Sequence, residues 1–369
     1  MVRIGITAVG SGVGQNVLTC LRESQLAREG RISRLIGFEA SAWAKAVYEC
    51  DEAYYLPMAG EPGYAEALLG YCRDLGVEVL IPGSDPELLP LAELRPELER
   101  LGCQVVVSSP ECVRLCRDKL ALYQRMGPLD IPVVETWELS EARQQAEALT
   151  YPVIVKPRAG SGSVGIQVVA SADALANLDL EGDWIVQPYL IPAAWGERAS
   201  ERVQALLASG RPLPQDDSSV QVMVGNDGQV VGRFASRNHL KAGVPMIVDP
   251  FEDPAMWAGG ELLAQALVAV GLRGPCNLQG RITRDGVRFY EVNPRYTGAT
   301  RSRELIGYHE VEAGVRLLGL GEPAEAVQTY LAYDREMVSL RQMTEIAVPR
   351  ARVEEMVKAG CTRLPPADA

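Results

Sequence analysis

Residues 2–9 (VRIGITAV) form a short apolar run, then comes the turn Gly10-Ser11-Gly12-Val13-Gly14, and then Val17, Leu18 and Leu21 recur at helical spacing. Strand, glycine turn and helix make the opening unit of a doubly wound sheet. The alternation continues through a strand from Arg34 to Phe38, a helix near Tyr64 to Leu75 and a strand Val79 to Ile81 that ends in Pro82-Gly83-Ser84-Asp85. A helix to Arg100 and a strand Gln104 to Val107 follow. Four parallel strands with crossing helices predict an open sheet covered on both faces, with ligands beyond the carboxyl ends of the strands. That edge carries the glycine turn, Glu39 and the Ser84-Asp85 turn, where Ser84 or Asp85 is expected to cap the next helix.

After a boundary near Ser108 to Pro110, a helix from Glu111 to Met126 carries Lys119, and the pattern then changes to β-runs. Tyr151 to Val155 and Ile166 to Val169 flank Lys156-Pro157-Arg158-Ala159-Gly160-Ser161-Gly162-Ser163-Val164-Gly165. Asp183 to Val186 runs into Gln187-Pro188-Tyr189-Leu190, and the Pro-flanked residues 192–216 look like an insertion. Strands resume at Ser219 to Val224 and Val230 to Phe234 around Asn226-Asp227-Gly228. Arg233, Arg237 and Lys241 make a basic segment, and a helix from Pro254 to Val270 leads into Cys276 to Thr300. Tyr308 to Leu318 reads as a helix, and a C-terminal extension ends in a Pro-rich stretch expected to fray. The expected division is 1–110, 111–190, 191–323 and 324–369.

The stretch CNLQGRITRDGVRFYEVNPRYTGAT reads as a hairpin, with strands at Asn277 to Thr283 and Val287 to Val292 around Arg284, Asp285 and Gly286. A three-residue loop would pair Thr283 with Val287 and set Gln279 opposite Glu291, whereas a two-residue turn would pair Gln279 with Val292 unless a bulge intervened. Glu291 and Asn293 share a face, with Arg295 one step beyond. Hard oxygen ligands beside a cation suit Mg²⁺ bound to phosphate, because Mg²⁺ keeps waters and takes few protein ligands.

The glycine-rich segment after Lys156 joins two strands and does not open a helix, so it is not a P-loop. Its glycines still let backbone N–H groups approach phosphates, with Lys156 supplying charge at the strand end. The turn at Gly10 to Gly14 is an imperfect dinucleotide fingerprint, because Gln15 stands where the third Gly or Ala belongs. An NAD(P)-dependent oxidoreductase, with Glu39 as ribose reader, is therefore the alternative reading of the N-terminal sheet.

Composition narrows the classes. The chain has 369 residues, 47% hydrophobic and 23% charged, enough for two or three domains and a large core. A net charge of −12 argues against nucleic acid as a partner. No apolar run approaches the roughly 18 residues of a membrane span and no leader precedes the first strand, so a cytoplasmic location is expected. The eight cysteines lack any CxxC pair and read as buried free thiols. Only Lys45, Lys119, Lys156, Lys241 and Lys358 are lysines, so nearly all of the 36 basic residues are arginine. A lysine in such a chain marks a place that needs a compact point charge.

Lys119, the Lys156 glycine loop, the QPYL hinge and the QGRITRDGVRFYEVNPR hairpin, in this order, resemble the ATP-grasp family, over roughly residues 1 to 320. The flavour is that of the carbamoyl phosphate synthetase-like carboxylate:amine ligases. The resemblance implies an α/β chain: a doubly wound parallel-sheet domain followed by a two-lobed α+β ATP-grasp domain. It further implies ATP and Mg²⁺ as cofactors, with Mn²⁺ as a substitute, and small carboxylate and amine substrates; a homo-oligomer is compatible with it. On this sequence Lys119 and Lys156 would touch phosphates beneath Gly160, Ser161, Gly162, Ser163 and Gly165. Gln187, Pro188 and Leu190 would read adenine. The insertion displaces the acidic residue that often follows the hinge, which leaves Asp216 or Asp217 for ribose. Gln279, Glu291 and Asn293 would hold the metal, and Arg295 and Lys156 would act in phosphoryl transfer. Arg237, Lys241, Arg301 and Arg303 are candidate anchors for substrate carboxylates.

Overall fold

The computed structural model describes residues 1–160, 162, 164–210, 213, 217–241, 243–342 and 348–363. The N-terminal strands β1 (Val2–Ile6), β2 (Ile32–Glu39), β3 (Glu52–Tyr55), β4 (Val79–Ile81) and β5 (Gln104–Val105) are parallel. Val2, Ile4 and Ile6 are buried on one face of β1 and Gly5 on the other, while Arg3 is exposed near the strand's start, so both faces are covered toward its carboxyl end. β3 was not legible in the sequence: Glu52-Ala53-Tyr54-Tyr55 is short, and its first residue is charged. The long apolar face of β2 carries it, with Ile36 opposite Glu52 and Phe38 opposite Tyr54.

The expected helix from Glu111 to Met126 is two helices, Pro110–Arg117 and Lys119–Met126. Asp118 breaks it. Its extended backbone lets the carboxylate accept from the Leu120 and Ala121 N–H groups, while Arg158 grips the same carboxylate at 2.7 Å. The cap sets Lys119 at the first helical position, beside the glycine loop.

A second sheet, all antiparallel, has the order β6 (Trp137–Glu138), β9 (Trp184–Pro188), β7 (Val153–Pro157), β8 (Gln167–Val169). It places Lys156 on β7 and Gln187 on β9. The third sheet is formed by β10 (Asp217–Val224), β11 (Val230–Lys241), β12 (Val244–Pro250), β13 (Gly274–Thr283), β14 (Gly286–Asn293) and β15 (Ser339–Leu340), in the order β14-β13-β10-β11-β12-β15. Val220, Val222, Leu278, Phe289 and Val292 pack on one of its faces against Leu263 and Leu267 of the helix Pro254–Val268. The other face carries Asp217, Ser219, Gln279, Glu291 and Asn293 toward a cleft.

The C-terminal extension does not stand apart. β15 extends the third sheet, and β16 (Cys361–Arg363) pairs antiparallel with β3, Cys361 opposite Tyr54. The Pro-rich end beyond Arg363 lies outside the described residues. All eight cysteines are free, and every one but Cys361 is buried.

The β13–β14 hairpin reaches the expected register by a different route. Its turn has two residues, since Thr283 pairs with Gly286, yet Gln279 still faces Glu291. A bulge does this: Gly280 pairs with Phe289, so Tyr290 is the extra residue on β14. Gly280 makes room, because a Cβ there would lie 2.7 Å from the Arg288 carbonyl oxygen and 2.9 Å from the Phe289 ring.

Candidate active site

A cavity of about 440 Å³ lies where the three sheets meet. Gln187, Pro188, Tyr189 and Leu190 form its hinge wall, and Ile154, Lys156 and Gly162 its roof. Asp217, Ser219, Gln279, Glu291 and Asn293 form the floor. The N-terminal sheet closes the far end with Ser11, Gly12, Gly83 and Asp85, next to Arg295 and Thr297.

Both lysines singled out in the sequence are buried in this region. The Lys156 ammonium lies 5.1 Å from the Tyr290 ring centre and 3.5 Å from the Tyr290 carbonyl oxygen. Burial pushes its pKa down to about 7; Glu291 opposes the fall and Lys119 adds to it. A phosphate in the cavity would restore the charge. Lys119 donates to the Gly160 carbonyl at 3.1 Å and, with Gly160, Asp85, Glu291 and Asn293, borders a smaller adjoining hollow. Gly162 reaches across the cleft to the β11–β12 loop, where a Cβ on Gly243 would lie 2.7 Å from the Gly162 carbonyl oxygen. Gly165 packs on Pro157 and Trp184, away from the cavity lining. Ser161, Ser163 and Asp216 lie outside the described residues.

Among the described residues no cluster of three His, Cys, Asp or Glu side chains gathers, so a metal site here depends on side-chain amides. The hairpin supplies them. The Asn293 amide nitrogen donates to both Gln279 Oε1 at 3.1 Å and Glu291 Oε1 at 3.3 Å, so these two oxygens already converge on one point. The Asn293 amide oxygen is turned to Arg295 instead, so two hard oxygens, Gln279 Oε1 and Glu291 Oε1, converge beside the lysines; they fit Mg²⁺ with phosphate, and Mn²⁺ by the same ligand preference.

Arg295 links the two halves of the cleft. Its Nε and Nη2 donate to the two Asp85 oxygens at 2.7 Å each, and Nη2 also reaches Asn293 Oδ1 at 3.1 Å. Burial disfavours its charge, yet Asp85 more than offsets this and raises its pKa. Ser84 and Asp85 are the two candidates for the helix cap. Ser84 holds the N-cap position, and the first helical residue, Asp85, faces the guanidinium instead.

At the hinge, Gln187 Nε2 donates to the Thr136 hydroxyl at 2.9 Å, so the side chain's other polar atom, its amide oxygen, is an acceptor. Arg281 holds the Leu190 carbonyl at 2.8 Å. Asp217 is buried and accepts from Asn238 and Gln279 at 2.8 Å each and from Tyr290 at 3.3 Å. Burial raises its pKa to about 6, against the lowering effect of those hydrogen bonds.

The candidate substrate arginines do not gather in the cavity. Arg303 borders it, but its guanidinium is committed to Glu310, Thr297 and Thr300. Arg301 reaches back to Glu23 on the N-terminal helix at 2.6 Å, and Arg237 lies over the Phe251 ring. Lys241 is exposed at the end of β11. In each case a nearby carboxylate, ring or solvent satisfies the cation, which sequence proximity to the hairpin does not show. Glu39 is likewise consumed: its carboxylate accepts from the Gly10, Ala40 and Ser41 N–H groups. The glycine turn is thus closed by its own chain, and a Cβ on Gly10 would lie 2.7 Å from Glu39 Oε2.

Sequence reasoning missed Tyr290, although a glycine inside a strand signals a bulge. Behind the cavity lining, Arg341 donates to Asn16 Oδ1 at 3.2 Å while Asn16 holds the Thr297 and Gly298 carbonyls.

Residues 6–106 match the family model of the PylC-like N-terminal domain, and residues 118–182 that of the carbamoyl-phosphate synthase L chain ATP-binding domain. The carbamoyl phosphate synthase large chain of Corynebacterium glutamicum is 26% identical over 79% of this chain and 26% of its own length. The biotin carboxylase of Haemophilus influenzae is 26% identical over 30% of this chain and 25% of its own. The chain thus spans about a quarter of the length of these curated relatives. Two solved structures share its fold. The biotin carboxylase domain of the Hydrogenobacter thermophilus 2-oxoglutarate carboxylase, with MgADP, ADP and bicarbonate, has TM-score 0.63 and 19% identity, covering 90% of this chain and 71% of that one. N5-carboxyaminoimidazole synthetase from Staphylococcus aureus, complexed with ADP, has TM-score 0.63 and 14% identity, covering 92% and 80%. The family models, the relatives and the shared fold agree with the order of lysines, glycine loop, hinge and hairpin: the chain is similar to carbamoyl phosphate synthases and biotin carboxylases, proteins of the ATP-grasp superfamily.

Proposed function

We propose that this chain is an ADP-forming ligase that phosphorylates a small carboxylate with ATP and couples the acyl phosphate to an amine. The observation that carries this reading is the single cavity joining the hinge, Lys156, the oxygen-bearing hairpin and Arg295. Adenine lies along Gln187, Pro188 and Leu190, ribose at Asp217, and the phosphates between Lys119, Lys156 and the Gly160–Gly165 loop. Gln279, Glu291 and, with its amide turned, Asn293 would hold Mg²⁺, which would offset phosphate charge. A carboxylate oxygen attacks the terminal phosphorus in line, and ADP leaves. The amine nitrogen then attacks the acyl carbon, loses a proton and expels phosphate. Phosphoryl transfer is catalysed mainly by positioning and by cations, the part given to Lys156 and Arg295. A glycine loop lying over the phosphates would exclude water, which otherwise hydrolyses the acyl phosphate.

Biotin carboxylases and N5-carboxyaminoimidazole synthetases share the fold, and their names point to the same class of carboxylate activation. The test is release of ADP and phosphate by purified protein that requires Mg²⁺, a carboxylate and an amine, screened across amino acids and organic acids. Formation of AMP and pyrophosphate would rule the reading out.

A further inference from the structure

The ring contact and the hydrogen bond of the Lys156 ammonium come from one residue. The Tyr290 ring centre lies 5.1 Å from Nζ, and the Tyr290 carbonyl oxygen accepts from it at 3.5 Å. The Tyr290 hydroxyl points the other way along the floor and donates to Asp217 Oδ2 at 3.3 Å, the oxygen that also accepts from Gln279. Tyr290 thus spans the distance between the phosphate lysine and the buried acceptor proposed for ribose.

Strand alternation alone would put Tyr290 and Glu291 on opposite faces. Val287, Phe289 and Val292 belong to the apolar core beneath the sheet, while Glu291 and Asn293 line the cavity. The bulge opposite Gln279 and Gly280 breaks the alternation, so that Tyr290 and Glu291, neighbours in sequence, both line the cleft. A bulge beside a binding site that re-aims one side chain is a positioning device.

We infer that Tyr290 is a positioning residue for the nucleotide: its ring face holds the Lys156 ammonium toward the phosphates, and its hydroxyl fixes the Asp217 carboxylate toward the ribose. The inference rests on the nucleotide reading proposed above. The two functions separate chemically. Tyr290→Phe keeps the ring and loses the hydroxyl, while Tyr290→Leu loses both. Lys156 meets only phosphate, so adenosine, which has none, reports on Asp217 alone.

Titration calorimetry of the full chain with ATP and Mg²⁺, and separately with adenosine, reads the difference. In Tyr290→Phe both ligands should weaken by a similar factor, on the order of threefold, the low end of the scale for one intramolecular hydrogen bond. In Tyr290→Leu adenosine should weaken as in the Phe variant, while ATP loses a further factor of about ten, the scale of a desolvated cation–π contact. Tyr290→Met, which keeps bulk without an aromatic face, should behave like the Leu variant and stands in for it if that variant does not fold. An unchanged ratio of ATP to adenosine affinity in both Leu and Met variants would overturn the inference. So would a ratio that falls as far in the Phe variant, since the loss would then not belong to the ring. Wild-type protein that bound no ATP would overturn the nucleotide reading itself.

Discussion

The two ends of the cleft use polar side chains in opposite ways. At the nucleotide end, Lys156, Gln279 and Glu291 point into the cavity, and their contacts are mostly with one another's neighbours across the floor. At the N-terminal end the polar groups are spent on the chain itself. Ser11 caps its helix and donates to the Gly83 carbonyl, Glu39 ties three backbone N–H groups, and Glu87 accepts from Thr7, Ser84 and Tyr64. What that end offers the cavity is backbone, small side chains and the Asp85–Arg295 pair. The end proposed for the nucleotide presents charges to the cavity, whereas the N-terminal end presents mainly shape. A motif therefore reveals the first and not the second.

Substitutions that break the nucleotide end should have the largest effect. Glu291→Ala should lower kcat by about a thousandfold, the upper range for loss of one preorganised electrostatic group, without unfolding the protein. Retained turnover would remove Glu291 from the metal site. Arg295→Ala should cost about a hundredfold in kcat. It should also lower stability by about 3 kcal/mol, because it leaves Asp85 part-buried without its cation. Denaturant unfolding beside kinetics separates the two losses. Asp85→Asn sharpens the comparison from the other end: it loosens Arg295 without touching ATP. The expected result is a kcat loss of about tenfold at unchanged ATP affinity, the scale of one misoriented transition-state contact. A weakened ATP affinity with intact kcat would place Asp85 on the nucleotide side instead.

How much of this was legible follows the same division. The parallel sheet, the glycine loop between strands and the Gln279–Glu291 register could be read because hydrophobic period and turn chemistry are local. The pairing of Arg295 with Asp85 could not, since 210 residues separate partners whose meeting depends on how the sheets dock. β3 and β16 escaped because their partners, not their own sequences, make them strands. Arg301 and Arg303 looked like substrate anchors by nearness to the hairpin, but Glu23 and Glu310 neutralise them from other elements. The bulge at Tyr290 had its signal in Gly280, yet only the observed pairing distinguishes a bulged strand from a longer loop.

The substitution with the smallest expected effect on turnover tests whether the N-terminal end is scaffold. Glu87 is buried beneath the Ser84-Asp85 turn, and burial raises its pKa to about 7 from the ordinary 4.5; hydrogen bonds from Thr7, Ser84 and Tyr64 oppose the rise, and Glu39 adds to it. The folded state thus binds this proton more tightly than the unfolded chain. With respect to this group, stability is greatest below about 4.5, falls as pH rises through the interval to about 7, and is constant beyond it. Glu87→Gln keeps the volume and an acceptor but cannot ionise. The stability of the variant relative to wild type should therefore grow by about 2 to 3 kcal/mol between pH 5 and pH 8, at about 1.4 kcal/mol per pKa unit. Denaturant unfolding at several pH values gives the difference curve, and kcat and the ATP KM should stay within about twofold of wild type, as expected for a substitution outside the reacting groups. A flat difference curve would mean that Glu87 ionises freely and that the turn is open to solvent. A large kcat loss with a normal curve would mean that the N-terminal end contributes chemistry, and the contrast between the two ends would fall.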